Sequence, residues 1–507
     1  MKEFLNLKDF VSLATGKRRL SLTNAEKQGI NKSRKVLERA LKENPQKLYY
    51  GINTGVGALI DEDIPKEKWE EFQLNLIRSH CCGVGNPLPR EMVKGMMLHM
   101  ILNLKKGYSG IRLKTLELLI EMFNRNLIPF VPEVGSVGAS GDLVPQAHIA
   151  LVLIGEGEIL YKSKKLSASA IFKAEGLKPV KLEVGEAIAL LNGTSLMTSI
   201  LALTVFRAKN LISIANITSA LTIAALSGNP QSFEKIVHEL RPHIGQKAVA
   251  EVIKKIFDGD NGINSKFLQD AYSLRCIPQV HGPILETILR AKEILEKEIN
   301  SFTGNPIIFK NKILHGGGNF HGQILAQLAD ELSISLTNLS AISERRIERL
   351  LNPKLSGLPP FLVMGDETNS GLMVVQYTAA SLVAENKVLA NPASVHSIPV
   401  SANQEDFVSM GAFAARKCWQ ICKNTEYVAA IEILCAAQAL EFCRDVPENI
   451  KKIHKVVRTY IPVLKKDRIL ANDIEIIFSQ IFCKWQNGFW GDNEFLKKVR
   501  QASGFNI

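Results

Sequence analysis

The sequence predicts a mainly helical protein, because long stretches of it repeat apolar residues at the three- and four-residue spacing of an α-helix. The clearest stretch, residues 321–351, carries such residues at Leu325, Leu328, Leu332, Leu336, Leu339, Ile342 and Leu350. Similar stretches cover about residues 370–390 and 413–443. Helices of about 30 residues with apolar stripes must pack on one another, so we expect a helical bundle here.

The first 110 residues show a different pattern, in which short helical stretches alternate with glycine-rich turns such as YYGINTGVGAL and CCGVGNPLP. Farther along, residues 196–226 form the most apolar zone, interrupted by Arg207, Lys209 and Asn210. The interruption leaves fewer than the ~20 apolar residues that a membrane span needs, so we predict buried helices and no membrane association.

Composition sets broad limits on function. The chain has 507 residues, of which 46% are hydrophobic and 22% charged, as in an ordinary globular protein. Its net charge of +12 would suit an anionic partner. The basic residues are spread out and not interleaved with aromatic residues, so we do not expect nucleic-acid binding.

Location and metal content follow from two further features. The N-terminus has no apolar core or cleavage site of a signal peptide. The eight cysteines show no CxxC pairs. We therefore predict reduced thiols, a cytoplasmic location and no metal site.

The segment GSVGASGDLVPQAHIA concentrates small residues before an apolar helix. Within it, the nitrogen of Gly141 could attack the carbonyl of Ala139, because glycine has no Cβ to prevent a close approach. Loss of water from the ring and from the Ser140 side chain would leave a methylene group conjugated to a carbonyl, which is a strong electrophile. The simpler interpretation is a glycine-rich turn before a helix, with Asp142 as an acidic residue at its N-terminus.

This segment resembles the motif of the aromatic amino acid ammonia-lyases and aminomutases, in which the tripeptide cyclises to 4-methylidene-imidazol-5-one (MIO). Further motifs similar to those of the family follow its order across residues 49–411: YYGINTGVGAL, FQLNLIRSHCCGVG, LLNGTSLMTS, QDAYSLRCIPQVHGP, HGGGNFHGQ, NSGLMVVQYTAASLVAENK and NPASVHSIPVSANQEDFVSMG. The resemblance therefore covers most of the chain. It implies an all-α fold with a smaller N-terminal domain, which we place at residues 1–195, and a long helical bundle at 196–507.

The resemblance implies catalytic roles for several residues. Ala139, Ser140 and Gly141 would form the MIO group, so no external cofactor is expected. Tyr50 would remove the β-proton of the substrate, which requires a phenol pKa below the ordinary value of ~10. Tyr272 would lie beside the MIO and assist the chemistry of the amino group.

The resemblance also implies a substrate pocket. Arg275 would bind the substrate carboxylate with two N–H donors. Asn192 would hydrogen-bond to the MIO or to the carboxylate, and Phe320 would form a wall beside the MIO. Gln269 is a further polar candidate. Considered without the resemblance, Tyr272 and Arg275 are better interpreted as an ordinary solvated turn, Asn192 as a turn residue before Gly193, and Phe320 as a packed aromatic residue at a helix start.

Three positions indicate which amino acid is bound. His80 follows Ser79 as in the histidine lyases, whereas tyrosine lyases carry leucine at the position of His80. Glu405 stands where phenylalanine and tyrosine lyases carry glutamine, and Met373 where plant phenylalanine lyases carry lysine. A carboxylate can accept an imidazole N–H or pair with an imidazolium, whereas a phenyl ring offers it no partner. We therefore predict conversion of L-histidine to trans-urocanate, with Glu405 among the catalytic residues.

Four positions depart from the family pattern: His396 replaces an aspartate, Phe407 replaces a histidine, Val56 stands where an aromatic residue is common, and Arg78 adds a positive charge near the expected pocket. The alternatives to a histidine lyase are a tyrosine or phenylalanine lyase, a 2,3-aminomutase, and a helical scaffold without turnover. Family members are homotetramers whose sites are built by three chains, so the resemblance also implies a homotetramer.

Overall fold

The computed structural model of the chain describes residues 4–16, 18–161, 164–257, 267–483 and 494–503. Helices dominate the described part, and the strands are short, which confirms the predicted mainly helical fold. The chain comprises two compact units, each made of separate segments: the first unit is Met1–Leu203, Glu293–Asp330 and Pro392–Arg416, and the second is Thr204–Lys292, Glu331–Asn391 and Lys417–Ile507. The predicted domain boundary at residue 195 stays a prediction.

Eight helices precede residue 195 in the described part of the first unit: α1 (Leu7–Thr15), α2 (Asn24–Glu43), α3 (Trp69–His80), α4 (Arg90–Leu104), α5 (Leu113–Asn124), α6 (Leu143–Leu153), α7 (Ala168–Glu175) and α8 (Glu186–Leu191). Helix α4 is the centre of this unit, since every residue from Met92 to Leu104 is buried. Its sequence is apolar on nearly all sides, which is the pattern of a helix surrounded by other elements.

The remaining described helices are α9 (Ser195–Ala225), α10 (Lys235–Glu239), α11 (Ile244–Phe257), α12 (Tyr272–Arg275), α13 (Ile277–Ile299), α14 (Gln323–Leu351), α15 (Pro353–Ser356), α16 (Val375–Leu389), α17 (Gly411–Leu440), α18 (Glu448–Arg458), α19 (Leu470–Ile477) and α20 (Glu494–Ser503). Helices α14 and α17 lie where the apolar periodicity predicts them. Helix α16 begins five residues later than predicted, because residues 371–374 form a turn in which Gly371 has a φ of 59°.

Helix α9 is a single helix of 31 residues, where the sequence suggested several. Among the described residues it is the one helix long and apolar enough to cross a membrane, but 83% of its most apolar stretch is buried within the protein. This burial agrees with the prediction of core residues. Arg207 does not interrupt the helix, because its guanidinium donates to the carboxylate of Glu426 inside the second unit.

Small antiparallel sheets complete the described fold. Strand β1 (Val84–Pro87) pairs with β3 (Pro132–Val134), and β2 (Ile128–Pro129), β4 (Glu158–Tyr161) and β5 (Lys164–Ser167) form a sheet in the order β2-β4-β5. Strands β6 (Ile307–Phe309) and β7 (Lys312–Leu314) form a hairpin in which Ile308 is opposite Ile313. The β1–β3 pair and the β6–β7 hairpin lie close in sequence to residues that line the cavities described below.

The core of the second unit contains a cluster of polar side chains that are hydrogen-bonded to one another. The guanidinium of Arg346 donates from Nε and Nη2 to the two carboxylate oxygens of Glu432, at 2.6 and 2.9 Å. The hydroxyls of Thr222 and Ser343 donate to the same carboxylate, at 2.9 and 2.5 Å. The side chains of Arg346 and Glu432 are at most 1% exposed, so the two opposite charges compensate each other away from water.

Candidate active site

The small-residue loop, residues 135–142, has a backbone that only small residues can adopt. Gly138, Ser140 and Gly141 have φ values of 83°, 49° and 81°, in the left-handed region. A Cβ on Gly141 would lie 2.2 Å from the carbonyl oxygen of Gly193, so no larger residue fits there. The N–H of Asp142 donates to that same oxygen at 2.8 Å. The loop is thus held against the turn at Gly193 by backbone contacts.

The carboxylate of Asp142 anchors the end of this loop. It is fully buried and accepts from the backbone N–H groups of Leu196 and Met197 at the start of α9, at 2.8 and 3.0 Å. The hydroxyl of Ser136 donates to its other oxygen at 3.3 Å. Burial without a cation raises the pKa of Asp142 to about 7, although these hydrogen bonds act in the opposite direction.

Two cavities in the first unit adjoin the loop and share Tyr50, Gly57, Ser140 and Glu405 in their walls. Cavity I has a volume of about 330 Å³, and its other lining residues include Ala139, Asn305, His315, Phe320, His321 and Phe407. Cavity II has a volume of about 260 Å³, and its other lining residues include Val56, Leu76, His80, Ile188, Asn192 and Ser401. Most residues that the sequence predicts for the site in the first unit therefore meet around Ser140.

Glu405 reaches Ser140 from a tight loop, residues 400–405. Its carboxylate accepts from the Ser140 hydroxyl at 2.8 Å. Val400 and Glu405 close the loop with two mutual backbone hydrogen bonds, at 3.1 and 3.3 Å. Between them Ser401, Ala402 and Asn403 have φ values of 52°, 51° and 67°. A left-handed non-glycine residue costs on the order of 1–2 kcal/mol, so neighbouring contacts must hold this loop in place.

Tyr50 lies in the wall of both cavities, and its hydroxyl oxygen accepts from the backbone N–H of Gly57 at 3.3 Å. The resemblance requires an acidified phenol, but the surroundings act in the other direction. Burial raises the pKa of Tyr50, the Gly57 hydrogen bond lowers it, and the nearby charge of Glu405 raises it. The residues of the first unit alone therefore do not supply the lowered phenol pKa that the role of Tyr50 as a base requires, chiefly because the phenol is buried.

His80 ends α3 and lines cavity II. Its Nδ1 lies 2.7 Å from the carbonyl oxygen of Leu76, and a carbonyl can only accept, so we assign the ring proton to Nδ1. Burial lowers the pKa of His80 more than the Leu76 bond and Glu405 raise it. The ring is therefore neutral near pH 7, and its Nε2 is a hydrogen-bond acceptor.

Asn192 follows α8 and lines cavity II, and its Nδ2 donates to the carbonyl oxygen of Asn305 at 2.9 Å. Sequence analysis missed Asn305 and His315, which line cavity I. Asn305 Oδ1 and His315 Nδ1 are buried and have no hydrogen-bond partner among the described residues. A signal for His315 was available, since it is the first residue of the motif HGGGNFHGQ. Asn305 carries no such signal beyond its place before Pro306.

Four predicted site residues belong to the second unit: Gln269, Tyr272, Arg275 and Met373. Tyr272 begins α12 with its side chain 72% exposed, and the Arg275 guanidinium lies 4.8 Å from the centre of its ring. Arg275 Nε is buried and has no hydrogen-bond partner among the described residues. Gln269 is exposed and Met373 is half-buried. The residues that line cavities I and II all come from the first unit.

The four departures from the family pattern have distinct surroundings. Arg78 forms two hydrogen bonds to Glu156, at 2.5 and 3.1 Å, so its charge is compensated and it does not add an unpaired charge. Phe407 lines cavity I and stacks on His321 with ring centres 6.2 Å apart. Val56 lines cavity II, and His396 is exposed. Two of the four therefore shape the cavities directly.

Comparisons with known proteins identify the family of the chain. A family model described as aromatic amino acid lyase matches residues 5–460. The histidine ammonia-lyase of Alkaliphilus oremlandii is 47% identical over 487 residues, which cover 95% of this chain and 96% of that protein. The crystal structure of histidine ammonia-lyase from Trypanosoma cruzi is similar with a TM-score of 0.89 at 37% identity, covering 98% of this chain and 94% of that one.

Tyrosine aminomutase from Streptomyces globisporus is also similar in structure, with a TM-score of 0.91 at 34% identity, covering 99% of this chain and 98% of that one. These similarities extend over nearly the whole chain, including the loop at Ser140 and the segment at Glu405. The chain is therefore a carbon–nitrogen lyase that belongs to the aromatic amino acid lyase family.

Proposed function

We propose that this protein is an ammonia-lyase that converts L-histidine into trans-urocanate and ammonia. The observation that carries the proposal is that His80 and Glu405 line the same cavity as Tyr50 and Ser140. A neutral His80 and a Glu405 carboxylate offer two acceptors, which match the two N–H donors of a protonated imidazole ring. The identity of 47% to a histidine ammonia-lyase supports the same substrate.

The loop at Ser140 fits the formation of an MIO group from Ala139, Ser140 and Gly141. Gly141 has no room for a Cβ beside Gly193, and Ser140 carries the hydroxyl that must leave. When formed, the group supplies an electrophile for the substrate amino group. The buried Asp142 fixes the end of the loop on α9, and before cyclisation the hydrogen bond from the Ser140 hydroxyl to Glu405 holds its middle.

We assign removal of the β-proton to the phenol oxygen of Tyr50. Because burial and Glu405 raise its pKa, a positive charge must approach Tyr50 before it can act as a base. Arg275 is our candidate for a cation in the assembled site, where its guanidinium would also bind the substrate carboxylate. Asn192, held by its bond to Asn305, would hydrogen-bond to the same carboxylate or to the electrophile.

We further propose a cytoplasmic homotetramer in which neighbouring chains complete each site. Tyr272 is 72% exposed, and aromatic side chains with that much exposure are frequent in protein interfaces. Tyr272, with Arg275 next to it, would reach the site of a neighbouring chain. Gln269 and Met373, from the same unit, are expected to contact the substrate in the same assembly.

A second candidate function is an aminomutase, since the tyrosine aminomutase of Streptomyces globisporus shares the fold at 34% identity. The two reactions differ in their products, because an aminomutase returns the ammonia to the β-carbon. Retention of the acrylate in a closed site, which separates the two, depends on loop motion. Glu405 and His80 favour the histidine lyase, because a protonated imidazole has two N–H donors for the two acceptors, whereas the phenol of tyrosine has a single O–H.

The test is to incubate the purified protein separately with L-histidine, L-tyrosine and L-phenylalanine and to follow the ultraviolet absorbance of the conjugated product. We expect absorbance to rise with L-histidine alone, with release of an equal amount of ammonia. A β-amino acid detected by mass spectrometry would instead identify an aminomutase. A rise with tyrosine or phenylalanine alone would contradict the roles of His80 and Glu405.

A further inference from the structure

We propose that Ser401 is a positioning residue that fixes the distance between the segment carrying Tyr50 (residues 50–64, the tyrosine segment) and the segment carrying Glu405 (residues 400–405, the glutamate segment). This inference rests on the proposed function, since it assumes that both residues act on the substrate. It concerns a contact between two loops of the first unit that lie more than 300 residues apart in the chain.

The contact itself is close and specific. The Ser401 hydroxyl oxygen accepts from the backbone N–H of Ala58 at 3.1 Å. A Cβ on the neighbouring Gly57 would lie 2.3 Å from that same oxygen, so the two segments touch where a side chain is missing. Gly57 also has a φ of 59°, which favours glycine independently. The approach of Ser401 to the tyrosine segment therefore depends on Gly57.

The tyrosine segment connects this contact to the phenol. Residues 57–59 form one 3₁₀ turn, Gly57–Leu59. Two successive N–H groups of the turn point at different partners: that of Gly57 donates to the Tyr50 hydroxyl, and that of Ala58 donates to Ser401. A shift of the turn away from Ser401 would therefore also change the hydrogen bond that orients the phenol oxygen.

The glutamate segment connects the contact to the carboxylate. Ser401 lies directly after Val400, whose N–H and carbonyl pair with the carbonyl and N–H of Glu405. The three residues from Ser401 to Asn403 are all left-handed, so the segment tends to relax if a contact is removed. The Ser401 hydroxyl therefore connects the base Tyr50 to the carboxylate that accepts from Ser140.

Single and double variants test this role. Ser401→Ala removes the acceptor, and we expect it to lower kcat for L-histidine about tenfold with KM changed less than about twofold, because misplaced catalytic groups slow the chemical step more than binding. Tyr50→Phe removes the phenol oxygen that the contact is proposed to orient, so it should lower kcat at least ~100-fold. The double variant Ser401→Ala with Tyr50→Phe should lose much less than the product of the two single effects, since Ser401 acts on the chemistry mainly through the phenol.

Matched variants of the same loop separate the hydroxyl from loop flexibility and folding. Ser401→Gly removes the hydroxyl but relieves the left-handed backbone, so it should fold and still lose about tenfold in kcat. Ala402→Gly relieves the same kind of backbone and keeps the hydroxyl, so its kcat should stay within about twofold of the unmodified protein. Unchanged kcat in Ser401→Ala and Ser401→Gly, or multiplying effects in the double variant, would overturn the proposal.

Hydrogen–deuterium exchange separates failure of this inference from failure of the proposed function. If the unmodified protein does not turn over L-histidine, the proposed function fails, but exchange can still be measured. In Ser401→Ala, amide protons should then exchange faster than in the unmodified protein in both residues 50–64 and residues 400–405. In Ala402→Gly, amide exchange in residues 50–64 should match that of the unmodified protein. Equal exchange in the tyrosine segment of Ser401→Ala and the unmodified protein would contradict the proposed contact.

Discussion

Two buried carboxylates show how differently the two units of this protein use polar groups. Glu432, in the second unit, accepts hydrogen bonds from Nε and Nη2 of Arg346 and from two hydroxyls. Asp142, in the first unit, receives only neutral donors, from Leu196, Met197 and Ser136. One carboxylate is compensated by an opposite charge, whereas the other stays uncompensated beside the loop that carries Ser140. The difference predicts that changes at Ser140 and Asp142 affect activity or the pH dependence of stability, whereas the loss of the partner of Glu432 lowers stability.

The most severe change to the first unit should be Ser140→Ala. Without the hydroxyl no leaving group is present, so the electrophile cannot form, and we expect turnover of L-histidine to fall at least ~1000-fold. The thermal midpoint should change little, because Ser140 is only half-buried. Turnover and melting of the two proteins, measured side by side, check this; comparable turnover in both would rule out a backbone electrophile.

The opposite result is expected for Arg346→Ala in the second unit. Removing the guanidinium leaves the Glu432 carboxylate buried without its cation, which typically costs about 3–5 kcal/mol. Thermal denaturation should show this loss, whereas the turnover per folded protein should be nearly unchanged. The double variant Arg346→Met with Glu432→Leu is the control, and it should be more stable than Arg346→Ala. Equal stability of the double variant and Arg346→Ala would show that the unpaired Glu432 carboxylate is not the main cause of the loss of stability.

Asp142→Asn should change how stability depends on pH. The folded pKa of Asp142, about 7, lies above its ordinary value of 3.8, so between these values the folded state binds the extra proton and the unfolded state does not. The stability of the unmodified protein should therefore fall, relative to the variant, from about pH 4 to about pH 7, and then level off. Denaturation midpoints of both proteins across this pH range measure the difference. If the midpoints of the two proteins changed with pH in parallel, the Asp142 carboxylate would not be an uncompensated buried charge.

The smallest effect is expected from His80→Leu. It removes one acceptor from cavity II, so KM for L-histidine should rise about tenfold, with a smaller change in kcat. Steady-state kinetics with L-histidine check this. Cys82→Ser, two residues away and outside the linings of both cavities, is the control and should leave KM unchanged. An unaltered KM in His80→Leu would remove His80 from substrate recognition.

Parts of the fold were predictable because they depend on local pattern. Helices α14 and α17 follow the apolar periodicity of the sequence within a few residues. The sequence alone predicts α9 in pieces, because Arg207 is a charged residue within an apolar stretch. The partner that makes Arg207 tolerable is Glu426, which lies 219 residues farther along, and no local pattern reveals such a pair.

Only those site residues that lie within recognisable sequence motifs could be predicted. The resemblance identified Tyr50, His80, Asn192 and Glu405, which line cavity II as a group. Asn305 was missed because its place depends on how distant loops meet. The raised pKa of Tyr50 was not predictable either, because it depends on how deeply the fold buries the phenol and on how near Glu405 lies.

The close approach of Gly141 to Gly193 has a consequence for how this protein can vary. A Cβ on Gly141 would lie 2.2 Å from the Gly193 oxygen, and one on Gly138 would lie 2.1 Å from the Ser409 hydroxyl oxygen. At Gly141 the two loops meet backbone to backbone, so a mutational scan should find no tolerated residue there, whereas a replacement of Gly138 would have to displace the Ser409 side chain and adopt a left-handed backbone. Natural or laboratory selection for a new substrate would therefore have to alter the cavity walls, because the backbone around Ser140 offers no intermediate steps.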